Sequence, residues 1–475
     1  MPNARLSAVV VTHDSRADVG ACLESLLRSS RPPDEILVVD NDSRDGTADL
    51  VRRDFPGAVV VDYWDNPGFG EAHNRAFRVA RGERFFLLNP DATAAPDCIE
   101  RLERAMDEAP GTGVAVPKVL LSREPSVLNS AGLHVNGVGY GWDRGYLERD
   151  AGQYDEAGPV IAGSGCALLV SAEMVSSVGG FDAAFFLYYE DLDLCLRSWL
   201  AGFPVRYVPG AVARHRMKVT GRSSHLNDYL DHRNRLRALL KCLPPGRLVR
   251  ALARSARFDG SEIVASCRRR DPRRAGRRVA AWAWNLARLP ETLARRRRAR
   301  ARAGHDDWTA LLTPGDGAPR PRAAVPGYPV AFADAVEPSR LPDALRMGAD
   351  ETGLGLGWHA LERAGGVAFR WSCGYGIAYL RTPGVGPARL EIDCFSARDG
   401  LVEVEVDGAP CGPLRVAPGP LETRSLAVSC LRPWARVEIR PESTLVPAES
   451  LPGARDHRTL GLAVASLRLA APPLP

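Results

Sequence analysis

Phe85-Phe86-Leu87-Leu88-Asn89-Pro90-Asp91 decides how this chain of 475 residues folds. Its four apolar residues show no polar alternation and are bounded by a turn signal, which suits a strand buried on both faces. The run stops at a polar turn that ends in a carboxylate. The same figure recurs outward along the chain. Leu6-Ser7-Ala8-Val9-Val10-Val11 leads into Thr12-His13-Asp14-Ser15, and Ile36-Leu37-Val38-Val39 leads into Asp40-Asn41-Asp42-Ser43. Ala58-Val59-Val60-Val61 is a further strand, and Val19, Cys22, Leu23, Leu26 and Leu27 repeat at helical spacing between the first two. Buried strands alternating with helices predict an α/β domain with a mostly parallel, Rossmann-like sheet. Ligands of such sheets bind beyond the carboxyl ends of the strands, where these polar turns lie.

Composition divides the chain into three parts: residues 1–226 with the α/β pattern, 227–325 as a basic amphipathic helical segment and linker, and 326–475 as a β-rich domain. Between Lys241 and Gly304 stand nineteen Lys or Arg against four acids, although the whole chain carries only +5. Leu239, Leu243, Leu248, Val249, Leu252, Trp282, Trp284, Leu286 and Leu289 interleave with that charge. A basic amphipathic segment with interfacial Trp suits peripheral contact with an anionic membrane, and a solvated helical linker suits it as well. No nucleic-acid-binding motif accompanies the charge. In the last part, Val367–Trp371, Ile377–Leu380, Leu390–Cys394, Leu401–Val406, Arg436–Ile439 and Leu460–Val464 read as strands, and Asp407-Gly408 is a hairpin signal. They predict an all-β sandwich or jelly roll of about eight strands. Trp358, Trp371 and Trp434 suit its core, or stacking on sugar rings.

Hydrophobic residues at 45% and charged residues at 25% exclude wholesale disorder, a collagen-like repeat and a small disulfide scaffold. The ten cysteines form no C-x-x-C pair, which argues against structural zinc, and their apolar surroundings predict buried, reduced thiols. No signal-peptide pattern opens the sequence, and no apolar run approaches the ~18 residues of a spanning helix, so a cytoplasmic protein is expected.

The strand-end clusters carry chemistry, each beside a plainer reading. Asp40 and Asn41 suit hydrogen bonds to a nucleobase or ribose, and equally a turn or helix cap. Asn66-Pro67-Gly68-Phe69-Gly70, followed by Asn74, is a tight loop whose glycines let backbone approach a ligand. Asp91 suits a divalent metal held against a diphosphate, or a cap. Glu190-Asp191-Leu192-Asp193 sets three acids within four residues, which repel one another unless paired, exposed or put to use, and one of them suits a general base. His215 suits completion of a metal site, or an ordinary hydrogen-bonded role.

Taken in order, Thr12-His13-Asp14-Ser15, Asp40-Asn41-Asp42-Ser43, Asn66-Pro67-Gly68 with Asn74, Asn89-Pro90-Asp91, Gly179-Gly180-Phe181-Asp182 and Glu190-Asp191-Leu192-Asp193-Leu194-Cys195-Leu196-Arg197 resemble family 2 glycosyltransferases of GT-A fold, in their rhamnosyltransferase-like branch. The resemblance spans about Arg5 to Arg237. The sandwich resembles C-terminal β domains attached to some bacterial members. The resemblance implies inverting transfer of a sugar, rhamnose among the candidates, from a nucleotide-diphosphate donor to a hydroxyl of a cell-envelope or lipid-linked glycan. It implies Asp191 as base with Glu190 beside it, and Mg²⁺ or Mn²⁺ at Asp91 and His215. It implies donor binding by Thr12, Asp40, Asn41, Asn66, Gly68, Asn74 and Asn89, and an acceptor side framed by Phe181 and Asp182. Asn89 replaces the first acid of the family's D-x-D motif, which removes one negative charge from the metal site. The expected location is the cytoplasm, peripherally on the inner face of the plasma membrane. Two other readings differ in class. A non-catalytic glycan-binding scaffold has Asp91 and Glu190-Asp191 against it. A nucleotidyltransferase lacks its glycine-rich loop, since residues 11–18 contain no glycine.

Overall fold

The computed structural model describes residues 5–122, 124–216, 225–268, 270–301, 307–314, 341–349, 354–359, 361–445, 447, 458 and 460–471. The chain forms two compact units that divide near residue 320. The predicted boundary at 325/326 lies outside the described residues.

In the first unit the elements run β1 (Leu6–Thr12), α1 (Val19–Leu27), β2 (Glu35–Asn41), α2 (Thr47–Asp54), β3 (Ala58–Tyr63), α3 (Phe69–Phe77), β4 (Arg84–Leu88), β5 (Ala92–Ala94), α4 (Cys98–Glu108) and β6 (Val114–Leu121). Short strands follow as β7 (Leu128–Ser130), β8 (Leu133–Val135), β9 (Gly141–Asp143) and β10 (Gly158–Pro159), then β11 (Ala167–Ser171), α5 (Ala172–Val178), α6 (Glu190–Leu200) and β12 (Val205–His215). The main sheet has the order β10-β12-β6-β11-β4-β1-β2-β3. β1 runs parallel to β2 and β4, with Thr12 opposite Asp40, while β11 runs antiparallel between β4 and β6.

Both faces of this sheet are apolar because its strands are continuously hydrophobic and side chains alternate between faces. Val9, Val11, Leu37, Val39, Phe85 and Leu87 share one core with Ala72 and Ala76 of α3 and Leu192 and Leu196 of α6. Ala8, Val10, Ile36, Val38, Phe86 and Leu88 share the other with Val19, Cys22, Leu23 and Leu26 of α1 and Ile99 and Leu102 of α4. Ser171 caps α5 by accepting the Met174 N–H at 3.0 Å, and Gly179 ends that helix at φ 79°.

The basic segment forms α7 (His225–Cys242), α8 (Pro245–Arg268), α9 (Pro272–Ala287) and α10 (Leu289–Ala301), and it belongs to this same unit. Composition alone sets it apart as a linker; contacts do not. Leu239 and Leu243 join the α/β core, and the buried Arg237 and Lys241 reach Asp182 at 3.0 and 2.6 Å. Arg235 and Arg278 lie 2.8 and 2.5 Å from buried Asp259. Part of the local charge is therefore neutralised inside the unit. The Trp residues read as interfacial are also engaged: Trp282 donates to Asp259 at 3.0 Å, and Arg233 lies 4.5 Å over the Trp284 ring. Among the described residues, no helix is long and apolar enough to cross a membrane.

The second unit contains β13 (Ala344–Arg346), β14 (Glu362–Ala364), β15 (Val367–Trp371), β16 (Gly376–Arg381), β17 (Gly386–Ser396), β18 (Gly400–Val406), β19 (Ala409–Val416), β20 (Glu422–Cys430), β21 (Trp434–Pro441) and β22 (Leu462–Ala470). They form a six-stranded sheet ordered β14-β15-β22-β17-β20, with β13 on β22, and a four-stranded sheet ordered β16-β21-β18-β19. Leu390, Ile392 and Leu467 meet Val404, Val437 and Ile439 in one core, as in a sandwich. Asp407 and Gly408 turn between β18 and β19 with φ of 52° and 84°, the left-handed pair that a two-residue hairpin requires. Trp358 and Trp371 are buried in this unit, while Trp434 is partly exposed under Arg432. Cys22, Cys98, Cys166, Cys195, Cys242, Cys394 and Cys430 are buried free thiols; Cys267, on α8, is exposed.

Candidate active site

The carboxyl ends of β1 and β2 meet because the strands pair in register. Thr12 donates its hydroxyl to Asp40 at 2.8 Å, and Asn41 donates Nδ2 to Asn66 at 2.8 Å. Asn41 Oδ1 is buried without a partner. This leaves an acceptor that a bound molecule can satisfy. Asn66 Oδ1 also accepts the Gly68 N–H at 3.1 Å. Gly68 has φ 88°, and a Cβ there would stand 2.3 Å from the Phe186 carbonyl oxygen, so glycine is required on both counts. Asn74 accepts the Phe181 N–H at 2.8 Å and donates back to its carbonyl at 3.0 Å, tying α3 to the loop before α6.

Asp91 and His215 come together through the β5–β12 pairing, in which His215 opposes Ala92. His215 Nε2 lies 3.2 Å from Asp91 Oδ1, and Nδ1 lies 2.7 Å from Asn129 Oδ1. With Nδ1–H donated to Asn129, Nε2 faces the carboxylate, and two acceptors at that distance call for a proton or a cation. Burial works against a charged ring, but the Cys166 sulfur and the Asp91 carboxylate hold the His215 pKa well above the ordinary value. The Asn89 side has its backbone fixed: its N–H donates to the Cys166 carbonyl at 2.8 Å.

One residue before Cys166, the Gly165 N–H donates to Asp191 at 2.8 Å. The segment entering β11 therefore touches the Asn89-Pro90-Asp91 turn on one side and Asp191 on the other. Asp191 also accepts the Leu192 N–H at 2.7 Å at the start of α6. Burial raises its pKa above the usual carboxylate range against these N–H bonds. Burial, and then the neighbouring Asp191 charge, raise Glu190 well above its usual value, and Glu190 Oε2 has no partner. Asp193 is different. It is fully buried and bound by Arg197 at 2.8 Å and Lys241 at 2.8 Å, so it is structural.

Three groups at this site have no signal in the sequence reading. Asp143, at the end of β9, is pushed up to about 6 by burial and by the Asp191 charge, with Ser130 and His215 opposing, and its Oδ1 is buried without a partner. It interacts with both Asp191 and His215. Arg233 and Asn234 come from the segment read as a linker. Asn234 Nδ2 lies 3.0, 2.8 and 2.7 Å from the carbonyls of Phe185, Leu187 and Tyr188, and Arg233 donates to Phe185 at 2.6 Å. They clamp a loop in which Phe186, Tyr188 and Tyr189 all have φ of 66–69°, directly before Glu190. Non-glycine residues adopt that conformation only when their surroundings enforce it. Only long-range pairing reveals these roles.

Phe181 and Asp182, expected to frame the acceptor, are buried instead. The Phe181 ring packs against Phe69, His73 and Phe77, and the Asp182 carboxylate is held by Arg237 and Lys241.

Comparison with known proteins identifies the family. Residues 7–173 match Glycosyl transferase family 2. An N-acetylglucosaminyl-diphospho-decaprenol L-rhamnosyltransferase from Mycobacterium tuberculosis is 32% identical over 249 residues, 46% of this chain and 80% of the relative. The chain belongs to glycosyl transferase family 2. It is a rhamnosyltransferase-like member with a GT-A domain and a C-terminal β-sandwich. The low-salt glycan biosynthesis hexosyltransferase Agl10 of Haloferax volcanii is 24% identical over 243 residues, 49% of this chain and 75% of the relative. Among solved structures, GalNAc-T7 with UDP, GalNAc and Mn²⁺ is similar over 50% of this chain and 48% of that one, with 14% identity and a TM-score of 0.43.

Proposed function

We propose that this family 2 glycosyltransferase moves a sugar, rhamnose first among the candidates, from a nucleoside-diphosphate donor to a hydroxyl of a lipid-linked or cell-envelope glycan, with inversion. The observation that supports the reading is the Gly165–Cys166 segment, whose Gly165 N–H bonds Asp191 while its Cys166 carbonyl accepts the Asn89 N–H of the turn that ends in Asp91, the partner of His215. Thr12, Asp40, Asn41 and Asn66 take the nucleoside, with Gly68 and Asn74 shaping the wall and Asn89 turning the chain towards the diphosphate. The lipid-linked acceptor is supported by the mycobacterial relative.

Asp91 and His215 fit a divalent cation. Asp91 Oδ1 and His215 Nε2, 3.2 Å apart, would hold a Mg²⁺ or Mn²⁺ ion between them. Among the described residues no group of three metal-ligating side chains is found, and donor phosphates would supply the remaining ligands. When bound, the ion neutralises charge that develops on the departing diphosphate. Asp191 takes the proton of the acceptor hydroxyl as that oxygen attacks the anomeric carbon from the face opposite the leaving group. Its raised pKa makes it a better base than an exposed aspartate. Glu190 shapes the acceptor side, its own carboxyl raised by burial and by the Asp191 charge. Peripheral contact with an anionic membrane is supported by Val249, Val279 and Leu286, which are exposed among the arginines of α8 and α9.

A transfer assay with dTDP-, UDP- and GDP-sugars, with Mn²⁺ and with EDTA, tests the reading. One donor is expected to raise Tm and to be turned over with metal only. Absence of stabilisation or turnover across the panel would sink it.

A further inference from the structure

A cavity of about 480 Å³ opens in the first unit where the end of α5, α6, α7 and α10 meet. Its wall includes Gly179, Gly180, Arg197, Lys241, Arg295 and Arg298, and none of Asp91, Asp191 and His215 borders it. Arg197 is 7% exposed. Its Nε binds Asp193 at 2.8 Å, and its Nη1 binds the carbonyls of Val178 and Gly180 at 3.0 and 2.7 Å. Nη2 is buried and has no partner. It is a buried donor on the cavity wall that a ligand oxygen can satisfy. At the mouth, Arg298 is exposed and makes no ion pair among the described residues, and Arg295 is half-exposed. Arg197, Lys241, Arg295 and Arg298 line the cavity with Asp182, and with Arg237 and Arg288 behind them they share only Asp182, Asp193 and Glu291, an excess of at least two positive charges.

We propose that this cavity is a second ligand site, apart from the donor cleft, that takes a diphosphate-type oxyanion. Two unmatched positive charges call for a ligand carrying at least two negative ones. A guanidinium edge offers paired N–H donors to phosphate oxygens, and Arg197 Nη2 supplies the buried contact while Arg298 supplies the outer one. The volume exceeds the needs of a single phosphate. The chemistry is shared by free diphosphate and by the head of a diphosphate-bearing isoprenoid. Arg197 sits on α6, the helix that begins at Glu190, so the ligand contacts the same element that carries Asp191.

Calorimetric titration of the full chain with inorganic pyrophosphate in EDTA tests this, because EDTA removes metal-assisted binding at Asp91. Wild type and Asp91→Asn should bind one equivalent alike. Arg298→Glu and Arg295→Gln should weaken binding at least tenfold with unchanged far-UV dichroism. No saturable binding by wild type, loss of binding in Asp91→Asn, or wild-type affinity in Arg298→Glu would each overturn the proposal. In a competition arm, farnesyl diphosphate displacing pyrophosphate more tightly than itself assigns the lipid source, and equal affinity assigns the free anion. Either result supports the site.

Discussion

Two groups of carboxylates, both withdrawn from solvent in the first unit, behave in opposite ways. Glu190 and Asp143 both feel the Asp191 charge, none of the three takes a hydrogen bond from any described Lys or Arg, and burial raises all three. Asp182, Asp193 and Asp259 lie under the helical layer, each bound by at least two basic side chains. Burial alone would raise Asp182 too, but Lys241 and Arg237 outweigh it and hold that carboxyl well below its usual range. The difference teaches what each group is for. A buried carboxylate with cations fastens one layer to another. A buried carboxylate without them is poised to accept a proton.

Asp191→Asn breaks the comparison first. Removing a general base should lower turnover by about 10²–10⁴-fold. Tm and donor binding should be unchanged, so normal turnover would refute the base assignment. Next comes Lys241→Met, which takes one buried cation from both Asp182 and Asp193 and leaves them Arg237 and Arg197. Loss of one partner of a buried pair costs about 3–5 kcal/mol, read by urea denaturation. A variant as stable as wild type would show that the helical layer does not depend on these charges.

His73 sharpens the contrast from the basic side. It is buried among aromatic rings with no acid partner, and burial lowers its pKa to about 4. The unfolded chain, near 6.5, binds the extra proton between those values. Its contribution is therefore whole above pH 6.5 and shrinks by roughly 3 kcal/mol as pH falls to 4. His73→Leu should flatten that slope in denaturation series at pH 7.5 and 4.5. The smallest effect is Glu190→Gln. An amide removes a buried charge without a cation, so stability at neutral pH should rise by about 1 kcal/mol while turnover falls. A loss of stability would place Glu190 with the fastening group instead.

Much of this was legible beforehand. β1, β2, β3 and β4 follow from continuous apolar runs, and the polar turns behind them mark the ligand side of the sheet. Asp91 and His215 could be paired only through the family resemblance, since 124 positions separate them and it is the β5–β12 register that sets them at 3.2 Å. Among Glu190, Asp191 and Asp193, spacing cannot tell the base from the structural acid. The cations that decide it come from Arg197 and from Lys241, the latter inside a stretch whose composition reads as a linker. β20 is an edge strand with most of its length exposed, and Arg424 and small residues among its alternating positions weaken the apolar signal.

Local order in the chain determined the strand–helix alternation, the sandwich and the family motifs, because hydrophobic period and turn chemistry act over a few residues. Tertiary structure alone decided which acids remain charged, which loop is held at positive φ, and that α7 to α10 complete the catalytic unit. Those depend on burial and on partners tens to hundreds of residues away, and neither quantity is written in any single segment.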